Sequence, residues 1–106
     1  MAARAPQRAP RKYRVYVIEL SRDCVLNPGD LPPLYVGQTA HSPEHRFAQH
    51  KAGGRLAGRK PHRYGLRLRW DFMAGIGPFT TRQEAEKAER VVATVLKKRG
   101  HRVFWG

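Results

Sequence analysis

Residues 13–20 read Tyr-Arg-Val-Tyr-Val-Ile-Glu-Leu, a β-branched and aromatic run that predicts a strand. A second short apolar run, Leu34-Tyr35-Val36, stops at Gly37, where a side chain would obstruct a close approach; it predicts a second strand. Between them lie Asn27-Pro28-Gly29-Asp30 and Pro32-Pro33, strong turn chemistry, so the two strands are expected to pair antiparallel across a long loop. The period then changes. Ser42 is placed to cap a helix and Pro43 to open it, with Gly53-Gly54 closing it after about residue 52. On this helix Arg46 and His50 are four apart and share a face, while Phe47 points elsewhere, toward a core. Residues 55–64 are basic and irregular, broken by Gly58 and Pro61, with room for a short helix. Leu66, Leu68, Trp70 and Phe72 alternate with Arg67, Arg69 and Asp71, which predicts a third strand with one buried and one wet face. After the turn Gly75-Ile76-Gly77-Pro78, residues 81–99 predict the longest helix, with Thr81 and Glu84 as a capping box and Gly100 as its stop. Residues 101–106, with Val103, Phe104 and Trp105, predict a short terminal strand or a docked tail.

This order of elements predicts an α+β fold in a single domain over residues 13–106. With 106 residues and 41% hydrophobic positions there is material for one modest core. Residues 1–12 are Ala, Arg and Pro in low complexity and read as a disordered basic arm.

Charge narrows the field of partners. Lys and Arg number 21 against 8 acids, a formal +13, an excess that repels itself unless a polyanion is near. DNA is the expected partner, with RNA as a further possibility. No run approaches the ~18 apolar residues of a membrane span, and no helix is both basic on one face and broadly apolar on the other. Cys24 is the single cysteine, so no intrachain disulfide forms; with no apolar leader near the start, a cytoplasmic, nucleic-acid-associated protein is expected. Cys24, His41 and His45 match no zinc-ligand spacing.

One charge stands in the wrong place. Ala85, Ala88, Val92, Val95 and Leu96 make the apolar stripe of the long helix. At about 100° per residue, Glu89 falls on or at the edge of that stripe. Glu84 has a capping explanation; Glu89 has none. A buried carboxylate costs several kcal/mol without a cation, a metal or donors, so Glu89 is either a structural ion-pair partner of an arginine or a functional group.

Arg14-Val15-Tyr16, then Tyr35-Val36-Gly37, then Arg46 with His50, then Glu89 on a later helix, resembles the GIY-YIG nuclease domain in order, spacing and strand-strand-helix context. The likeness spans residues 13–106 and is closest over 34–53. It implies a three-stranded antiparallel sheet flanked by helices, and a metal-dependent endonuclease that hydrolyses DNA phosphodiesters using one Mg²⁺ or Mn²⁺ ion. The catalytic residues so implied are Tyr16, Tyr35, Arg46, His50 and Glu89, with Glu89 the metal ligand and Gly37 the glycine of the second motif. Tyr16 takes the part of base or relay and Tyr35 that of orienting water or phosphate, roles that could be exchanged. The first motif's glycine is Arg14 here, and the asparagine the family carries beyond its glutamate has no counterpart, since the single asparagine is Asn27. That gap supports a second reading, a non-catalytic nucleic-acid-binding module on the same fold.

The chemistry suits these residue types. Hydrolysis needs a nucleophile, charge to offset the phosphoryl oxygens and support for the leaving oxygen. One carboxylate with waters and phosphate suffices for Mg²⁺, and an arginine offers a planar fork to a phosphate. A free tyrosine has a pKa near 10, so Tyr16 as base requires positive charge nearby, from Arg46, His50 or a metal-bound water. Lys51, Arg55, Arg59, Lys60 and Arg63, with His62, form a basic run after the first helix that is expected to contact phosphates; Arg67 and Arg69 would extend it along the wet face of the third strand.

Overall fold

Strands β1 (Arg14–Leu20) and β2 (Leu34–Thr39) are the centre of the computed structural model, which describes residues 12–27 and 29–106. All of the expected N-terminal arm except Lys12 lies outside the described residues. The two strands pair antiparallel, with Tyr16 opposite Gly37 and Ile18 opposite Tyr35. Their apolar runs are buried almost throughout, Val17, Ile18, Leu34 and Val36 completely. The long connection carries a 3₁₀ turn at Arg22–Cys24 and is closed by the Arg22 guanidinium, which donates to the carbonyls of Gly29 and Asp30 at 2.8 and 2.9 Å.

Helix α1 spans Pro43–Ala52. The Ser42 hydroxyl accepts from the His45 N–H, and Gly53 closes the helix with φ 83°, a left-handed conformation that suits glycine. A short α2 (Arg59–Tyr64) leads directly into β3 (Gly65–Leu68), which pairs antiparallel with the outer side of β1. The alternating pattern expected to run on as strand stops there. Trp70–Met73 is a single helical turn, α3. The Arg69 fork grips both Asp71 carboxylate oxygens, at 3.0 and 2.8 Å, and a bond between residues two apart closes a turn rather than a strand. Arg69 also pairs with Glu19 at 2.9 Å, and Arg67 with Glu19 at 3.4 Å, so this part of the supposed phosphate track is committed to carboxylates within the fold.

Helix α4 (Arg82–Lys98) starts as a capped helix should: the Thr81 hydroxyl accepts from the Glu84 N–H. Its buried positions, Ala85, Glu89, Ala93 and Leu96, recur every three or four residues. The chain then returns to make β4 (Val103–Trp105), which lies parallel to β2, with Leu34, Tyr35 and Val36 opposite Val103, Phe104 and Trp105. The sheet therefore has four strands in the order β3-β1-β2-β4 and is mixed, which corrects the expected three-stranded antiparallel sheet. A crossover through α4 is what permits a parallel neighbour here. Cross-strand register puts Tyr16, Ile18, Tyr35 and Phe104 on one face, where α1 and α2 pack, while Val36 and Trp105 face α4.

Candidate active site

Three of the five side chains meet in one aromatic cluster. Tyr16 comes from the middle of β1, Tyr35 from the next strand, and His50 from the last turn of α1. Ring centroids are 6.4 Å apart for Tyr16 and Tyr35, 5.8 Å for Tyr16 and His50, and 5.6 Å for Tyr35 and His50. The Tyr16 hydroxyl lies 2.9 Å from His50 Nε2, both groups fully buried. Gly37 is the reason the phenol fits: a Cβ there would overlap the Tyr16 hydroxyl. What closely approaches the glycine is thus the tyrosine of the neighbouring strand.

The histidine's proton can be placed. The Gly58 N–H donates to His50 Nδ1 at 2.8 Å, so that nitrogen presents its lone pair and the proton of the neutral ring sits on Nε2. His50 therefore donates to the Tyr16 oxygen, and the phenol's own hydrogen is free to point elsewhere. Burial, and after it the Arg46 charge, lowers the His50 pKa to about 4, so the ring is neutral at pH 7. Of the three sources of positive charge expected to activate Tyr16, His50 accordingly contributes a hydrogen bond and no charge. His62 Nδ1 donates in turn to the His50 carbonyl at 3.0 Å, fixing the end of α1.

Arg46, one turn before His50, is half-buried and held by Nη1 bonds to Gln49 Oε1 at 3.1 Å and the Leu56 carbonyl at 2.7 Å. It is the cation of the cluster. Burial pushes Tyr16 well above the ordinary tyrosine value and Tyr35 adds to this, while Arg46 draws it down. Tyr35 is raised for the same first reason, again opposed by Arg46.

Glu89 is only 7% exposed. Its Oε1 is buried with no hydrogen-bond partner, and no ion pair reaches it among the described residues. Its pKa is raised, by burial first and by Glu86 second; Arg90 and the Gly106 N–H oppose. The Gly106 backbone that opposes this rise lies near the Tyr35 hydroxyl, where a Cβ on Gly106 would come within 3.2 Å of it, so Glu89 is linked to the tyrosine cluster through the residue after β4. One divalent cation completed by waters fits this donor: a buried carboxylate oxygen with no hydrogen-bond partner. Among the described residues no three His, Cys, Asp or Glu side chains converge as a metal cage.

The basic run is less uniform than its sequence. Arg55 and Arg59 are exposed. Lys51 Nζ instead donates to the carbonyls of His62 and Gly65, at 3.2 and 2.9 Å, tying α1 to the start of β3. Lys60 Nζ sits 4.3 Å over the Phe104 ring, and the Arg63 guanidinium 5.4 Å over Tyr64. Reading the sequence missed Gly58 and Gly106, both of which act through backbone N–H groups that carry no side-chain signal. An apolar cavity of about 870 Å³ lies apart, between α4 and residues 71–79, and none of the five side chains lines it. No helix among the described residues is long and apolar enough to cross a membrane. Compared with protein-family models, curated proteins and solved structures, the chain matches none.

Proposed function

We propose that this chain is a metal-dependent endonuclease of the GIY-YIG kind, hydrolysing phosphodiester bonds of DNA with low sequence specificity or by substrate structure. The observation that carries the proposal is the buried carboxylate of Glu89, whose Oε1 has no hydrogen-bond partner. A structural acid would have found a partner among 21 Lys and Arg residues.

In this reading Glu89 holds one divalent cation, which when bound offsets phosphoryl charge and acidifies water. Arg46, already fixed by Gln49 and Leu56, presents its remaining donors to the scissile phosphate. Neutral His50 orients the Tyr16 oxygen and stabilises it as a phenolate by donating from Nε2. Once its own proton has left to solvent, the Tyr16 phenolate would take the proton of the attacking water, and Tyr35 would orient that water or the phosphate. Because burial keeps Tyr16 protonated at rest, the rate should climb with pH above neutrality. The +13 charge supplies affinity without reading bases.

The test is nicking of supercoiled plasmid with Mg²⁺ or with a chelator. Cleavage that needs the ion and disappears in Glu89→Gln and Arg46→Ala is the expected result. Binding with no cleavage, unchanged in Glu89→Gln, would assign the fold to a binding module, the reading that the absence of a downstream asparagine favours.

A further inference from the structure

A second cationic surface lies on the other face of the sheet, unrelated to the run after α1. On α4, Arg90, Thr94 and Lys97 recur at i, i+4 and i+7, with Lys98 beside them. Together with Ala93 and Trp105 of β4 they line a concavity of about 470 Å³. Lys97 Nζ is 5.5 Å from the centre of the Trp105 ring. Trp105 is 50% exposed, which leaves part of its ring open to a ligand. None of the three cations has a carboxylate partner among the described residues. The concavity lies across the sheet from Tyr16 and Tyr35: Trp105 pairs with Val36 on the α4 face, while Phe104 pairs with Tyr35 on the other, and Arg90 follows Glu89 on α4.

We propose that this concavity binds one unpaired nucleotide of a bound strand, its base stacked on the Trp105 indole and its phosphate held by Arg90, Lys97 and Lys98. The inference rests on the nucleic-acid reading above and adds a substrate class to it. A base can lie on an indole only when it has left its duplex stack, and any base presents a π-face to do so. Substrates that carry a single-stranded segment are therefore favoured over continuous duplex. Lys97 and Lys98 also suit the C-terminal end of α4, so stability is a poor measure of their role and binding is the informative one.

The chain has two tryptophans, so Trp70→Phe leaves Trp105 as the sole emitter. That variant is titrated with oligothymidylate at low salt in the presence of a chelator, following tryptophan emission, its accessibility to acrylamide, and the anisotropy of a labelled oligonucleotide. The expected results are quenching of Trp105 and its protection from acrylamide. Affinity should fall about tenfold in Trp105→Ala and largely recover in Trp105→Phe. Replacing Lys97 and Lys98 by Gln should reduce the log–log salt slope by about 1.4 on single strands. Oligonucleotide that binds by anisotropy while Trp105 emission and accessibility stay unchanged at saturation overturns the subsite and leaves the nuclease proposal standing. Absence of binding to both oligothymidylate and duplex overturns the two together.

Discussion

Replacing Glu89 by Gln should abolish metal-dependent cleavage and make the protein more stable. The side chain is 7% exposed and its Oε1 has no partner, so at neutral pH the native state carries an imperfectly solvated charge. With Arg90 and the Gly106 N–H offsetting part of the cost, a gain of about 1–2 kcal/mol is expected on removing the charge while keeping the shape. For a domain of this size each kcal/mol is worth about 4–8 °C in Tm. The sign follows from linkage. A carboxyl whose folded pKa is raised contributes its relative stability below the unfolded value and loses it as pH rises through the folded one. The advantage of the variant should consequently be present at pH 7 and vanish near pH 4, where wild-type Glu89 is itself protonated. Circular-dichroism melts at the two pH values measure it. Mg²⁺ at ten times its dissociation constant should raise wild-type stability by about 1.4 kcal/mol and leave the variant unmoved. A variant that melts lower than wild type at pH 7 would mean that Glu89 is a structural anion, and the catalytic assignment would fall with it.

Gly37→Ala should displace the Tyr16 ring and lose cleavage along with about 1–3 kcal/mol of stability, since the new methyl overlaps both the hydroxyl and the ring carbon that bears it; combining it with Tyr16→Leu, which removes the ring, should recover part of that stability in urea melts and no activity. Tyr16→Phe alone leaves the His50 Nε2–H buried without its acceptor, a cost of about 1–3 kcal/mol, and a double-mutant cycle with His50→Gln should show coupling; strict additivity would remove that hydrogen bond from consideration. His50, with its pKa lowered to about 4, favours the neutral ring in the fold, so its contribution is present above pH ~6.5 and lost as pH falls toward 4, on the order of 3 kcal/mol in all; an NMR titration placing its pKa near 6.5 would contradict this. DNA affinity should decline with salt along a log–log line, and a flat response in filter-binding assays would exclude a phosphate-borne interaction.

The elements legible in the sequence were those whose signal is local. α1 runs between a serine cap and a glycine stop, α4 begins at a capping box, and β1 and β2 are short β-branched runs with a turn-rich connection. Glu89 was legible because helical spacing alone puts it on an apolar stripe. The strand expected through Phe72 was misjudged because Leu and Arg alternated by coincidence, with Leu66 and Trp70 exposed and an Arg69–Asp71 bond closing the turn. The parallel β4 was hidden for another reason: its neighbour is decided by where α4 delivers the chain, which no local pattern records. The availability of Lys51 and Lys60 was likewise beyond reach, since their partners are carbonyls and a ring brought up from distant positions. The tautomer of His50 depended on the N–H of Gly58, a residue visible in the sequence as nothing more than a helix breaker.

The pairing of Leu34 with Val103 joins positions far apart along the chain, and it has a consequence for how the molecule matures. Hairpin β1–β2 and helix α1 can form early from nearby neighbours, bringing Tyr16, Tyr35, Arg46 and His50 together. Glu89 takes its place only when α4 docks and the last strand zips onto β2, a closure whose entropic cost makes it slow. On the proposed reading, a nascent or partly denatured chain would grip polyanions before acquiring the Glu89 carboxylate, a built-in delay between holding and cutting.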